Sequence, residues 1–410
     1  MNRSNPTGSA SEVALIAPRR DLDRDATRLT AGERFSDADV ELMLAGVAKN
    51  TRLSLRRAWK KVLTFTSSHG YVECPMPIAT CVKLIDWSWT QDGRYDRPTS
   101  PETVKHMLWA VTKAHRVAMR PDGVRGYVSP VPSEEVQRAL RGYRARYREA
   151  GHRPDKAAPI APDEQTDMVA TCDVRSPIGL RDALALALLY DGGFRAGELV
   201  ETDDRPGMLF QDVELHAGVD PDTIDWTRPA AIELGPSDHL VIHVPMSKTD
   251  QEGDGDEVML YAHPAEHADT CPVRLFIAWQ VLLRERGVPL TGGVLKVVLH
   301  GGRPPADGRP KKGTVTEAPM VYEGLCRVYG RAVDGAGLEN PEGRRRHFTL
   351  HGMRAGAAEA AAERGADTPE LNRHFRWSQF GTTAQRYAAR GRKRRQNPSK
   401  RIWGSDAAGV

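Results

Sequence analysis

One break constrains this chain more than any other feature. At "GHRPDKAAPIAPDEQ", residues 151–165, the sequence is rich in Pro and Ala and loses all periodicity. Such a stretch reads as an interdomain linker. It divides 410 residues, too many for one ordinary domain, into two parts that can each bury a core. Before it, from about residue 36 to 150, apolar residues recur only at helical spacing. After it, a helical pattern gives way to strand-like runs and then returns. The expected fold is therefore mainly α, with an N-terminal helical bundle, a linker at 151–165, and a mostly helical second domain over 166–395 carrying a small antiparallel β-sheet.

Within the first part, "TRLSLRRAWKKVLTFTSSHG" predicts a helix ending at Gly70, and "PIATCVKLIDWSWTQDG" one ending at Gly93. A third opens at "SPETVKHMLWAVTKAHRVAM", where Ser100 suits an N-cap, Pro101 the first helical position and Glu102 the positive end of the helix dipole. "PSEEVQRALRGYRARYREAG" predicts a fourth. The second part opens with the very apolar "GLRDALALALLYDGGFRAGELV", a buried helix that breaks at Gly192-Gly193 and resumes. "AAIELG", "HLVIHVP" and "EVMLYA" read as three strands. Residues 1–35 read as a flexible arm and 396–410 as a tail.

The net charge of +4 conceals a segregation. Residues 1–155 carry 26 basic and 18 acidic side chains, residues 156–330 carry 16 and 28, and residues 331–405 carry 16 and 7. Positive ends around an acidic middle are the footprint of a protein that neutralises phosphates. No stretch has the length and apolarity of a membrane span, no secretory signal is visible, and five scattered cysteines argue against a disulfide framework. A cytoplasmic protein is expected. The sequence has no GxxxxGK[ST] phosphate loop. His263, His267 and Cys271 have metal-like spacing but lack a fourth ligand, and "QEGDGDE" reads as a solvated hairpin loop. Neither a metal nor a nucleotide cofactor is expected.

Four separated pieces of the second part carry chemistry. Arg195 and Glu198 stand three apart in "FRAGEL"; Lys248 lies on the turn after a strand in "VPMSKTDQEG"; His351 and Arg354 stand three apart in "LHGMRAGAA"; and "RWSQFGTTAQRY" ends in Tyr387. In this order and spacing they resemble the tyrosine recombinases, or phage integrases, and "HGMRAGAAEAAAERGADTPELNRHFRW" is similar to the corresponding segment of Cre-like members. "AWKKVLTFTSSHG" and "SPETVKHMLWAVTKAHR" are similar to the family's core-binding, SAM-like bundle. The resemblance covers most of residues 36–395.

The resemblance implies a site-specific recombinase or integrase that cuts and rejoins double-stranded DNA. Tyr387 would be the nucleophile, Arg195 and Arg354 would hold the phosphate, and Lys248 would protonate the leaving 5′-oxygen. His351 would move the tyrosine's proton, and Glu198 would hold the first arginine in place. Trp377 would fill the family's His/Trp position, although it precedes Tyr387 by ten residues where nine are usual, and His374 is the alternative. Lys60, Lys61, Lys105 and His106 occupy stretches resembling DNA-facing helices. The implied assembly is a homotetramer on two DNA sites, with the C-terminal segment packing on a neighbour and no membrane partner.

Overall fold

The computed structural model describes residues 49–395 apart from 92–96, 119, 121, 125, 153–156, 204, 246–254, 300–312 and 339–347. The arm at 1–35, the tail at 396–410 and Lys248 lie outside the described residues. The chain divides into two compact units, Met1–Pro154 and Asp155–Val410.

The first unit contains helices α1 (Lys49–His69), α2 (Ile78–Trp87), α3 (Pro101–Val117) and α4 (Glu134–Glu149). Helix α1 packs on α3, and α2 on α4. Leu55, Val62 and Phe65 of α1, Leu84 of α2, Met107 and Val111 of α3 and Leu140 of α4 share one core. Their spacing of three and four residues puts them on one face of each helix. Helix α1 stops at Gly70, whose φ of 65° suits a residue without a side chain. Helix α2 ends at Trp87, six residues before the expected Gly93. The reason is Ser88, whose hydroxyl donates to Leu84 O at 2.8 Å, while its own carbonyl accepts from the Tyr143 hydroxyl of α4 at 3.2 Å. The start of α3 is as its sequence predicts, with Ser100 accepting from the Thr103 amide at 3.3 Å and Pro101 at the first helical position. Ser100→Ala should therefore lower the unit's stability by about 1 kcal/mol in urea unfolding.

The second unit is built around α6 (Pro177–Asp191), which follows α5 (Pro162–Ala170). Every residue of α6 from Gly179 to Tyr190 is buried. This explains why the run reads apolar on all sides, since a helix surrounded by others has no polar face to present. It packs against α5, against α8 (Pro272–Glu285) and against α10 (Leu350–Arg364). The short helix α7 (Ala196–Leu199) follows the break at Gly192-Gly193, and α9 (Tyr322–Gly335), α11 (Thr368–His374) and α12 (Thr383–Arg395) complete the helical part.

An antiparallel sheet in the order β1-β2-β3 consists of Val213–His216, His239–Val244 and Asp256–Tyr261. Val213 lies opposite Ile242, and Val244 opposite Asp256, so the β2–β3 connection that carries Lys248 leaves from one end of the sheet. Two of the three expected strands form. The third, "AAIELG", does not: Pro229 opens a 3-10 turn through Ala231, and the carbonyl of Ile232 accepts from Nε of the buried Arg274 at 2.9 Å. A backbone group satisfied by a side chain has no need of a ladder. Strand β1 takes its place. A second, two-stranded sheet pairs β4 (Lys296–Val298) with β5 (Val315–Pro319). No helix among the described residues is long and apolar enough to cross a membrane.

Candidate active site

The break after α6 creates the site. Gly193 has φ 50°, and a Cβ there would stand 2.4 Å from the Phe375 ring, so only glycine permits the turn. The turn delivers Arg195, which sits just before α7 in extended conformation rather than inside a helix. Its backbone amide donates to Glu198 Oε2 at 2.9 Å, and its Nη1 to Glu198 Oε1 at 2.5 Å. The pair thus faces together because a carboxylate three residues into the helix folds back on the residue before it. Glu198 is 6% exposed. Burial alone would raise its pKa, but Arg376, then the amide and guanidinium of Arg195, outweigh that and hold it below the usual carboxylate range.

Arg354 enters from the second turn of α10 and is 1% exposed. Its Nη1 donates to Gly193 O and its Nη2 to Phe375 O, so one guanidinium ties the glycine turn to the chain after α11. Among the described residues its Nε has no hydrogen-bond partner. Burial first, then the charges of Arg195 and Arg376, pull its pKa down to about 9, against Glu198 and Tyr387. It remains charged at neutral pH.

Tyr387 lies in the first turns of α12, half-buried. Trp377 stacks on it with ring centroids 5.2 Å apart and planes 11° from parallel, and Phe375 stacks on Trp377 at 5.1 Å. The Arg354 guanidinium stands 5.5 Å from the Trp377 ring centre. Burial, then Glu359, raises the Tyr387 pKa; Arg390, Arg386 and Arg354 oppose the rise. Close contact between α10 and α12 makes this possible, because Gly391 lies where a Cβ would come within 2.3 Å of Ala362 O.

The structure therefore brings Arg195, Glu198, Arg354, Trp377 and Tyr387 together. His351 is exposed one turn before Arg354 on α10. His374 points elsewhere: its Nε2 donates to Asp191 O at 2.6 Å, and burial lowers its pKa. The extra residue between Trp377 and Tyr387 falls in a region that includes a turn closed by Gly381 N donating to Ser378 O at 2.9 Å, where Phe380 is 98% exposed. In the first unit Lys60, Lys61, Lys105 and His106 are all exposed, with Lys105 3.6 Å from Glu102. His263, of the metal-like trio, faces Asp191 at 3.3 Å, and Cys271 Sγ accepts from its backbone amide.

Two features escaped the sequence reading. Arg56 and Arg57 are exposed on α1 one turn before Lys60 and Lys61, which extends the basic stripe; the i, i+4 spacing was available to find them. Arg376 is 2% exposed and pairs with Glu198 at 3.0 Å. Arg376 stands between Phe375 and Trp377, and no local signal marks that arginine as buried.

Among solved structures, the chain is similar to the XerH site-specific recombinase bound to palindromic difH substrate in a post-cleavage complex. Identity is 12%, 98% of each chain is covered and the TM-score is 0.53. The pre-cleavage complex of XerH with difH gives 11% identity, 98% coverage of each chain and a TM-score of 0.51. The chain has the fold of a site-specific recombinase. No protein-family model and no curated protein matches the sequence. At such identities the likeness is one of fold, so what the recombinase fold does in this chain has to be argued from its own side chains.

Proposed function

We propose that the protein is a tyrosine-type site-specific DNA recombinase. The observation that carries this reading is an electrostatic imbalance beside a nucleophile. Arg195 and Arg376 both pair with Glu198, Arg354 lies within electrostatic reach of both, and Asp256 is a further carboxylate acting on Arg376. The cluster keeps a positive excess next to Tyr387. Fixed guanidinium forks in a sheltered site suit the non-bridging oxygens of a phosphodiester, on which negative charge grows as a fifth ligand approaches phosphorus.

In the reaction, the Tyr387 oxygen attacks the phosphorus of a DNA phosphodiester. The new bond is a 3′-phosphotyrosine, the P–O5′ bond breaks, and the 5′-oxygen leaves as a hydroxyl. A phenol is protonated at neutral pH, and burial favours that form further at Tyr387, so the step needs a proton acceptor. His351, exposed on α10 one turn before Arg354, takes that role, and Lys248 supplies the proton to the leaving 5′-oxygen. Trp377 holds the tyrosine ring by stacking, and Glu198 holds Arg195. A 5′-hydroxyl from a second duplex reverses the step, so the bond energy is kept without nucleotide hydrolysis. Exchange between two duplexes requires four protomers. Lys60, Lys61, Lys105 and His106, with Arg56 and Arg57, contact backbone phosphates and make affinity fall with salt.

The test is covalent capture. Nicked duplexes tiled across the DNA flanking the gene lose the short 5′-hydroxyl product after cleavage, so the wild-type protein should accumulate as a protein–DNA adduct stable in denaturing gels. Absence of an adduct with every duplex, with binding retained, overturns the reading.

A further inference from the structure

Arg376 adds charge to the cluster above but has no named role in the step, and four oxygens hold its guanidinium. Its side chain is 0% exposed. Nη1 donates to His374 O at 3.0 Å and Gly192 O at 3.3 Å, and Nη2 to Gly193 O at 3.2 Å and Glu198 Oε2 at 3.0 Å. The guanidinium stands 4.7 Å from the centre of the Phe194 ring. All this is kept at a backbone φ of 49°, the one positive value at a non-glycine position among the described residues. Glycine adopts that conformation freely and arginine does not, so the backbone alone gives no reason for arginine here.

What the arginine adds is a second hold on Glu198, at the oxygen that also accepts from the Arg195 amide. Glu198 Oε2 accepts from the Arg195 amide and from Arg376, which leaves Oε1 facing Arg195 Nη1. Without Arg376, these contacts to both carboxylate oxygens would come from Arg195 alone, so the Glu198–Arg195 pair would lose a contact that anchors it to another residue and could shift as a unit. The same fork spans Gly192, Gly193 and His374, and so joins the turn that delivers Arg195 to the segment that delivers Trp377.

We infer that Arg376 is a positioning residue for strand cleavage, acting through Glu198 to fix the guanidinium of Arg195 against the phosphate. Its consequence for cleavage rests on the recombinase reading; its effect on Arg195 does not. A lysine cannot reproduce it, because an ammonium is a point donor and reaches fewer of these four acceptors at once. Glycine would relieve the backbone and lose the fork.

Two variants and two readouts test this. Arg376→Gly and Arg376→Lys are first compared with wild type by circular dichroism. The rate at which phenylglyoxal modifies Arg195 is then followed by peptide mass spectrometry, and single-turnover cleavage and Kd are measured on the duplex that traps the adduct. Arg376→Gly should raise Arg195 modification about fivefold and slow cleavage about 100-fold with Kd within about twofold, and Arg376→Lys should fall between it and wild type. Combined with Glu198→Gln, Arg376→Gly should cost little more than Glu198→Gln alone. Should Arg376→Gly fail to fold, Arg376→Lys carries the same comparison. Wild-type modification of Arg195 in the folded variants overturns the inference, as does full additivity with Glu198→Gln. If wild type forms no adduct on any duplex, the recombinase reading fails, and the Arg195 modification rate still decides whether Arg376 fixes that side chain.

Discussion

Tyr387→Phe should abolish covalent capture of DNA while leaving the fold and DNA affinity intact. The substitution removes one atom. Phenylalanine keeps the ring that stacks on Trp377 at 5.2 Å and the burial that the ring provides, so melting should move by no more than about 0.5 kcal/mol. The guanidiniums of Arg354 and Arg195 come from α10 and from the turn after α6, neither of which depends on the hydroxyl, and Kd should stay within about twofold. Only the attacking oxygen is lost. Cleavage should fall by at least about 10⁴-fold, the scale seen when a covalent nucleophile is deleted from an intact site. An adduct that still forms at a wild-type rate would show that another group attacks, and would leave the stacked tyrosine as packing alone.

Why some contacts of the site are legible from sequence, while those of Arg376 are not, comes down to the range of the forces involved. His351 and Arg354 sit one turn apart on α10, and Glu198 folds back onto the residue three before it, so each pair is set by contacts local in sequence. The start of α3 is equally local: Ser100, Pro101 and Glu102 act on amides within four residues. Strand β3 alternates buried and exposed residues and β2 is a mostly apolar run, so both can be read. By contrast, the run at 230–235 looks like a strand until Arg274, 42 residues away, takes the Ile232 carbonyl. Strand β1, four residues long, is too short for a period to emerge. Arg376 meets Glu198 across 178 residues, against its own backbone preference, and nothing in "RHFRWSQ" records that partner. Nor does anything in the sequence record that His374 donates to Asp191 O while Trp377 stacks on Tyr387. Small residues after Arg354 did announce close packing, but not against what.

Gly356→Ala should give the largest loss of stability. Helix α10 lies against the segment that enters the second unit, with Ile160 N donating to Gly352 O at 3.1 Å. A Cβ on Gly356 would fall 1.7 Å from Ile160 O and 2.7 Å from its amide nitrogen, both backbone atoms that cannot swing aside. Accommodating one methyl group therefore means moving the helix or the segment. The cost should be about 3 kcal/mol or more, which for a unit of this size lowers Tm by roughly 6–12 °C in calorimetry. Gly330 in α9 is the control, since a Cβ there meets nothing within 4 Å. Gly330→Ala should gain up to about 1 kcal/mol from the helix propensity of alanine, the opposite sign for the same chemical change. The loss at Gly356 also has a functional reading. Arg354 precedes it by two residues and holds both Gly193 O and Phe375 O, so any shift of α10 displaces the guanidinium from the turn and from Trp377 together. Cleavage at a temperature where Gly356→Ala is still folded should therefore fall by more than its DNA affinity does. A variant that melts as wild type would mean that the segment at 158–160 is not seated on α10.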